Sequence, residues 1–169
     1  LHLYDTLSAA GKAFDLKPCG MHAMDCGRIE KGFRHFGHDI TCEDHVLEAG
    51  LGFAVKTSKP EFIGRDAVLR KKEAGLNTRL LQFQLQDPDP MLYHNEPVLR
   101  DGEIVGYLSS GAYGHYLGAA IGMGYVPCKG ETGQDLLASA YEIDVAGTRV
   151  KATASLRPLY DPSATRVKA

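Results

Sequence analysis

Apolar residues recur at helical spacing from the first positions of the chain. Leu3, Leu7 and Ala10 share one helical face, and Gly11 suits the position just after a helix end. Lys17-Pro18-Cys19-Gly20 breaks the pattern. Met21, Met24 and Ile29 predict a second helix over roughly 20–31, ended by Gly32. Gly27 inside it costs about 1 kcal/mol relative to alanine. Residues 33–48 are polar and irregular. Leu51, Phe53 and Val55 then alternate with small residues, which predicts a strand. Arg65 to Ala74 predicts a third helix, set between Gly64 and Gly75.

From about residue 76 the period changes to two. Leu81, Phe83 and Leu85 alternate with Gln82, Gln84 and Gln86, the pattern of a half-buried strand. Asp101-Gly102, between Val98-Leu99-Arg100 and Glu103-Ile104-Val105, marks a type I′ hairpin. Ala146-Gly147 marks another turn, between Tyr141–Val145 and Thr148–Ala154. A glycine-rich stretch, Gly111 to Gly124, runs into Tyr125-Val126. Short strands at this spacing predict a small antiparallel barrel or sandwich. The fold class is therefore α+β, with a helical and mixed segment over 1–75 and an all-β module over 76–169.

Composition narrows the function classes. With 169 residues, 44% apolar and 24% charged, the chain has the make-up of a folded domain. Its 19 Lys+Arg against 21 Asp+Glu create no net field for nucleic acid or an anionic membrane. No apolar run approaches the roughly 20 residues of a membrane span. Cys19, Cys26, Cys42 and Cys128 form no CxxC pair, so free thiols are expected. The chain opens at Leu1 with a helical pattern already under way and no signal-peptide pattern, as a piece of something longer would.

Four patches carry candidate chemistry. His35, His38, Cys42 and His45 are zinc-type ligands, but their spacing matches no standard arrangement, and a polar loop is the plainer reading. Ser109-Ser110-Gly111-Ala112-Tyr113-Gly114-His115 is glycine-rich but lies among strands. A phosphate cradle needs a helix N-terminus, so a turn or bulge is expected here. The cysteines carry no nucleophile signature, and buried structural thiols are the commoner case. Glu30 stands at a helix C-terminus, where the macrodipole favours cations. It either pairs with Arg28, Lys31 or Arg34, or offers its carboxylate to the N–H/NH2 edge of a pteridine or guanidinium.

The run Arg28-Ile29-Glu30-Lys31-Gly32-Phe33-Arg34-His35-Phe36-Gly37-His38-Asp39-Ile40-Thr41 continues into Leu47-Glu48-Ala49-Gly50-Leu51-Gly52-Phe53-Ala54-Val55-Lys56. Phe62-Ile63-Gly64-Arg65 and Ala67-Val68-Leu69 follow. Together these strongly resemble the glycine cleavage T-protein (aminomethyltransferase) family, in particular the folate-binding region of dimethylglycine and sarcosine dehydrogenases. Asp101-Gly102, Ser109-Ser110-Gly111, Tyr113-Gly114 and Ile121-Gly122-Met123-Gly124-Tyr125-Val126 resemble that family's C-terminal β-barrel domain.

The resemblance implies the C-terminal part of a folate-binding domain over 1–75 and the barrel domain over 76–169. It implies a one-carbon (aminomethyl) transferase module using tetrahydrofolate and a small amine, with Glu30 holding the pterin. Lys56 or Lys59 is the expected basic contact to folate, and Tyr160 the expected C-terminal tyrosine. No residue takes the catalytic aspartate's role, which the family places upstream, and no metal is implied. FAD would belong only to a domain further upstream. The fragment is thus expected to be inactive alone and to associate with itself or with the rest of its protein. The expected compartment is the bacterial cytoplasm or the mitochondrial matrix. Two rival readings are a non-catalytic folate-binding or scaffold module and a demethylase with a different methyl donor. The scaffold relatives carry a cysteine motif where this chain has Lys31-Gly32-Phe33-Arg34.

Overall fold

The computed structural model describes residues 1–168. Helix α1 (His2–Gly11) runs into a 3-10 turn (Lys12–Phe14), and neither contains a buried residue. Its apolar stripe is present as expected, but Leu3, Leu7 and Phe14 face solvent. Helix α2 (Met21–Glu30) is closed by a paired cap. Gly32 N–H bonds the carbonyl of Ile29 at 2.9 Å, and Phe33 N–H bonds that of Arg28 at 2.8 Å. This Schellman geometry needs a left-handed residue, and Gly32 supplies it at φ +67.

The strand expected over Leu51–Val55 does not form. Gly52–Ala54 is a 3-10 turn, with Ala54 N–H on Leu51 O at 2.9 Å and Val55 N–H on Gly52 O at 3.1 Å. Phe53 is 86% exposed. Alternation makes a strand only where a neighbour offers a ladder; here the backbone bonds itself locally instead. Helix α3 (Arg65–Ala74) forms as expected, flanked by Gly64 and Gly75, both at positive φ.

Six antiparallel strands then close a barrel in the order β1-β4-β3-β2-β5-β6. They are β1 (Thr78–Leu85), β2 (Pro97–Arg100), β3 (Glu103–Gly114), β4 (Ala119–Pro127), β5 (Tyr141–Val145) and β6 (Thr148–Ser155). Both expected hairpin turns take positive φ at their two central residues, 52 and 90 at Asp101-Gly102 and 51 and 88 at Ala146-Gly147. A helix the sequence pattern did not reveal, α4 (Gly133–Ala138), is started by a capping box between Thr132 and Asp135. The barrel interior is filled by Leu81, Phe83, Leu85, Leu108, Val126 and Ile143, among others.

Strand β1 is buried on both faces. Leu80 turns outward and joins Ile29, Ala112, Ile121 and Met123 in a second apolar cluster under α2. Gln82, expected on a solvent face, is buried beside them. Its Nε2 donates to Ile29 O, and its Oε1 accepts from Leu159 N–H at 3.1 Å. One side chain therefore ties α2, the barrel wall and the C-terminal segment together.

Candidate functional site

Ile29 is fully buried against the barrel, so the next residue on α2 is carried to the barrel wall as well. Glu30 is 8% exposed. Its Oε1 accepts from the backbone N–H groups of Tyr116, at 2.7 Å, and Leu117, at 3.3 Å, in the β3–β4 connection. Among the described residues its other oxygen accepts no hydrogen bond. The Glu30 carbonyl accepts from Tyr160 N–H at 3.1 Å. The Tyr116 and Tyr160 rings meet edge to face at 4.3 Å. Arg166 donates to Tyr160 Oη at 2.9 Å and lies 5.6 Å from the Tyr116 ring centre. The result is a carboxylate at the wall of a small aromatic and cationic corner.

None of the three cations considered as partners pairs with Glu30. Arg28 bonds Asp25 at 2.6 Å and also Asp39. Lys31 pairs with Asp161 at 2.9 Å, with its ammonium 5.7 Å from the Tyr160 ring centre. Arg34 is spent on the carbonyls of Ala49, at 3.0 Å, and Gly32, at 2.6 Å. Hydrogen bonds from Lys31, and then from Thr165, hold the Asp161 carboxyl well below the usual carboxylate range. Burial, and then the charge of Arg79, lowers the pKa of the Arg34 guanidinium.

Glu30 and Tyr160 thus come together across 130 positions of chain. Lys56 and Lys59 do not join them. Both are exposed, in the turn after the 3-10 segment, and neither side chain reaches Glu30 or Tyr160 by a hydrogen bond or ion pair among the described residues. Tyr116, Lys31, Arg166 and Asp161 complete the corner and were not singled out as site residues. An exposed tyrosine between Gly114 and Gly118 was the available signal for Tyr116.

A cavity of about 460 Å³ lies on a different face of α2 and does not include Glu30. Met24, Arg28, Phe33, His35, Tyr93 and Ser110 contribute to its walls. His35 and His38 stack there at 4.5 Å, and His45 is turned to its own backbone, accepting from Leu47 N–H at 3.1 Å. Among the described residues no group of three His, Cys, Asp or Glu is arranged to hold a metal ion. Ser109–Gly114 is extended strand with a register shift between Leu108 and Ser110, and His115 opens the turn that follows, so the run is a bulge rather than a phosphate cradle. All four cysteines are free; burial pushes the thiols of Cys26 and Cys128 up, away from the reactive thiolate form.

A closed six-stranded barrel carrying a glutamate-tipped helix on its wall defines the class, and comparison with known proteins agrees. Residues 78–161 match the glycine cleavage T-protein C-terminal barrel domain, and residues 1–59 match the GCVT N-terminal domain. A solved aminomethyltransferase from Bartonella henselae superposes with a TM-score of 0.71 at 22% identity, covering 83% of this chain and 38% of that one. The chain belongs to the glycine cleavage T-protein (aminomethyltransferase) family.

Among its relatives is the 4-methylaminobutanoate oxidase (formaldehyde-forming) of Paenarthrobacter nicotinovorans, 38% identical over 99% of this chain and 20% of that protein. The human mitochondrial sarcosine dehydrogenase is 35% identical over 98% of the chain and 18% of its own length. The aminomethyltransferase of Halothermothrix orenii is 40% identical over 75% of the chain and 35% of its own length. The chain spans about a fifth of the first two relatives. Among the described residues no helix is long and apolar enough to cross a membrane.

Proposed function

We propose that this chain is the folate-contacting and barrel portion of a tetrahydrofolate-dependent one-carbon transferase, divided near residue 76. The parent enzyme takes a small amine and passes its one-carbon unit to tetrahydrofolate. The observation that carries this reading is the Glu30 carboxylate. One oxygen is locked to the Tyr116 and Leu117 N–H groups, and the other is left without a partner among the described residues. A free carboxylate oxygen accepts from an N–H or NH2 edge, and the neighbouring tyrosine rings offer faces and edges to a flat heterocycle. The donor set therefore fits a reduced pterin.

Tetrahydrofolate, when bound, supplies the nucleophilic nitrogen. Glu30 holds the ring in register, which is a positioning contribution rather than a chemical one. Tyr160 closes the corner from the C-terminal segment, and Lys56 or Lys59 serves the anionic tail of the cofactor. The catalytic aspartate lies outside these 169 residues, so the segment alone has no turnover. The partners are folate, a small amine, and either a second copy of the chain or the remainder of the same protein. The compartment is the bacterial cytoplasm or the mitochondrial matrix, the latter in keeping with the human relative's name.

Calorimetry of tetrahydrofolate on the full-length enzyme tests the reading. Glu30→Gln keeps an acceptor for Tyr116 N–H but loses the charge. We expect affinity to fall about tenfold, the scale of a charge-assisted hydrogen bond. Equal affinities of Glu30→Gln, Glu30→Ala and the unmodified enzyme would remove Glu30 from the site.

A further inference from the structure

We propose that Asp39 is a positioning residue for Glu30, acting through Arg28; the inference rests on the role of Glu30 proposed above. Asp39 is 1% exposed, and its carboxylate reaches two other elements, α2 through Arg28 and β3 through Ser109, besides its own loop. One oxygen accepts from Arg28 Nη1 and from His35 N–H at 2.9 Å. The other accepts from Ser109 Oγ at 2.5 Å. Arg28 in turn donates to Ser110 Oγ at 2.8 Å, to Asp25 at 2.6 Å and to the Phe33 carbonyl at 3.4 Å. Helix α2, the 33–40 loop and strand β3 are thereby joined at one buried point.

The bulge in β3 makes this possible. In a regular strand, Ser109 and Ser110 would face opposite sides of the sheet. The register shift between Leu108 and Ser110 lets both hydroxyls reach the same ion pair. A β-bulge re-aims a side chain at a local cost in ladder pairing, and here it re-aims one onto the clamp.

The connection to Glu30 is short and stiff. Arg28 and Glu30 occupy the same last turn of α2, separated only by Ile29. Ile29 and Gln82 set the height of that turn above the barrel. Neither sets its rotation about the helix axis, because one apolar side chain and one backbone carbonyl can both be kept while the turn swivels. Beside the bonds Glu30 itself makes to Tyr116, Leu117 and Tyr160, Arg28 adds a constraint of its own, gripping β3 through Asp39 and Ser110. Without Asp39, Arg28 keeps Asp25, which rides on the same helix, and a single neutral hydroxyl on β3, that of Ser110, so its charged grip on the 33–40 loop is lost.

The test measures tetrahydrofolate affinity and melting temperature on the full-length enzyme. The variants are Asp39→Asn, the milder Ser110→Ala, Arg28→Ala and Glu30→Gln. Glu131→Gln is the control; it removes the charge from the Arg100–Glu131 pair, neither member of which bonds to α2 among the described residues. Asp39→Asn is expected to weaken binding about tenfold, the scale on which outer supporting residues act. Ser110→Ala should weaken it less and leave the fold intact. Millimolar guanidinium should restore affinity to Arg28→Ala but not to Glu30→Gln, a rescue that a merely stabilising role would not produce. The proposal is overturned if Asp39→Asn and Ser110→Ala bind as tightly as the unmodified enzyme while Glu30→Gln binds weakly. It is also overturned if Glu131→Gln, at an equal loss of melting temperature, loses as much affinity as Asp39→Asn. Undiminished binding by Glu30→Gln removes the underlying reading and the positioning role with it.

Discussion

The barrel and the 77 residues before its first strand are held by different forces. Every barrel strand has two neighbours, and its interior is a continuous apolar cluster from Leu81 to Ala152. Closure leaves no open edge, and burial does most of the stabilising. The leading segment buries only Ile29, Ala49 and Val68 among its apolar residues. It is fastened instead by ion pairs and backbone bonds: Arg28–Asp39, Lys31–Asp161 and Lys71–Glu48, with Arg34 and Arg79 on loop carbonyls. Apolar packing tolerates small shifts, whereas charged hydrogen bonds fix distance and angle. The proposed site sits where the precise fastening meets the stable wall.

The sharpest break of this contrast is a pair of truncations. Phe83→Ala, in the barrel centre, should cost about 3 to 5 kcal/mol in urea unfolding. Leu7→Ala, on α1, should change stability by no more than about 0.5 kcal/mol. Similar losses at both positions would mean that α1 is buried in the working protein. Next in size is Gly124→Ala in β4, where a Cβ would lie 2.6 Å from the Tyr107 carbonyl oxygen. The strands must part to accept it, at a cost of about 1 to 3 kcal/mol seen in thermal denaturation.

Thr132→Ala removes the capping box of α4 and should cost about 1 kcal/mol, confined to that helix in amide exchange. The smallest effect is one of pH. Asp161 titrates lower in the folded chain than unfolded, so its contribution is complete above the ordinary carboxylate range and is lost as pH falls through its folded pKa. Melting curves below about pH 4 should therefore fall less steeply for Asp161→Asn than for the unmodified chain. Parallel curves would show that the Lys31 pair adds nothing to the leading segment's hold.

Legibility in the sequence tracks how local each interaction is. Helices α2 and α3 and both hairpin turns are written in spacing and in glycines within a few residues. The failed strand at Leu51–Val55 shows the limit, because alternation says nothing about whether a partner strand exists. Gln82 shows it again: a polar residue on a presumed solvent face proves to be the buried link between α2 and Leu159. At the site, the family motif marked Glu30 and Tyr160, and the structure joins them. Tyr116 escaped notice because its contact with Glu30 spans 86 positions and goes through a backbone N–H that any residue type could supply. Lys56 and Lys59, the candidates for a basic contact that the family carries as arginine, stay outside the corner.

The amino-acid sequence alone determined the family, the α+β fold class, the type I′ turn at Asp101-Gly102, the turn at Ala146-Gly147 and the glutamate at the helix end. Each depends on residue type and near-neighbour spacing, which the chain carries with it. Only the tertiary structure decided which cations are already taken and which oxygen of Glu30 is free. It alone showed that a bulge brings two serines to one buried ion pair. Those outcomes depend on competition between charged groups far apart in sequence, and that competition is settled only when the barrel closes and brings them within bonding distance.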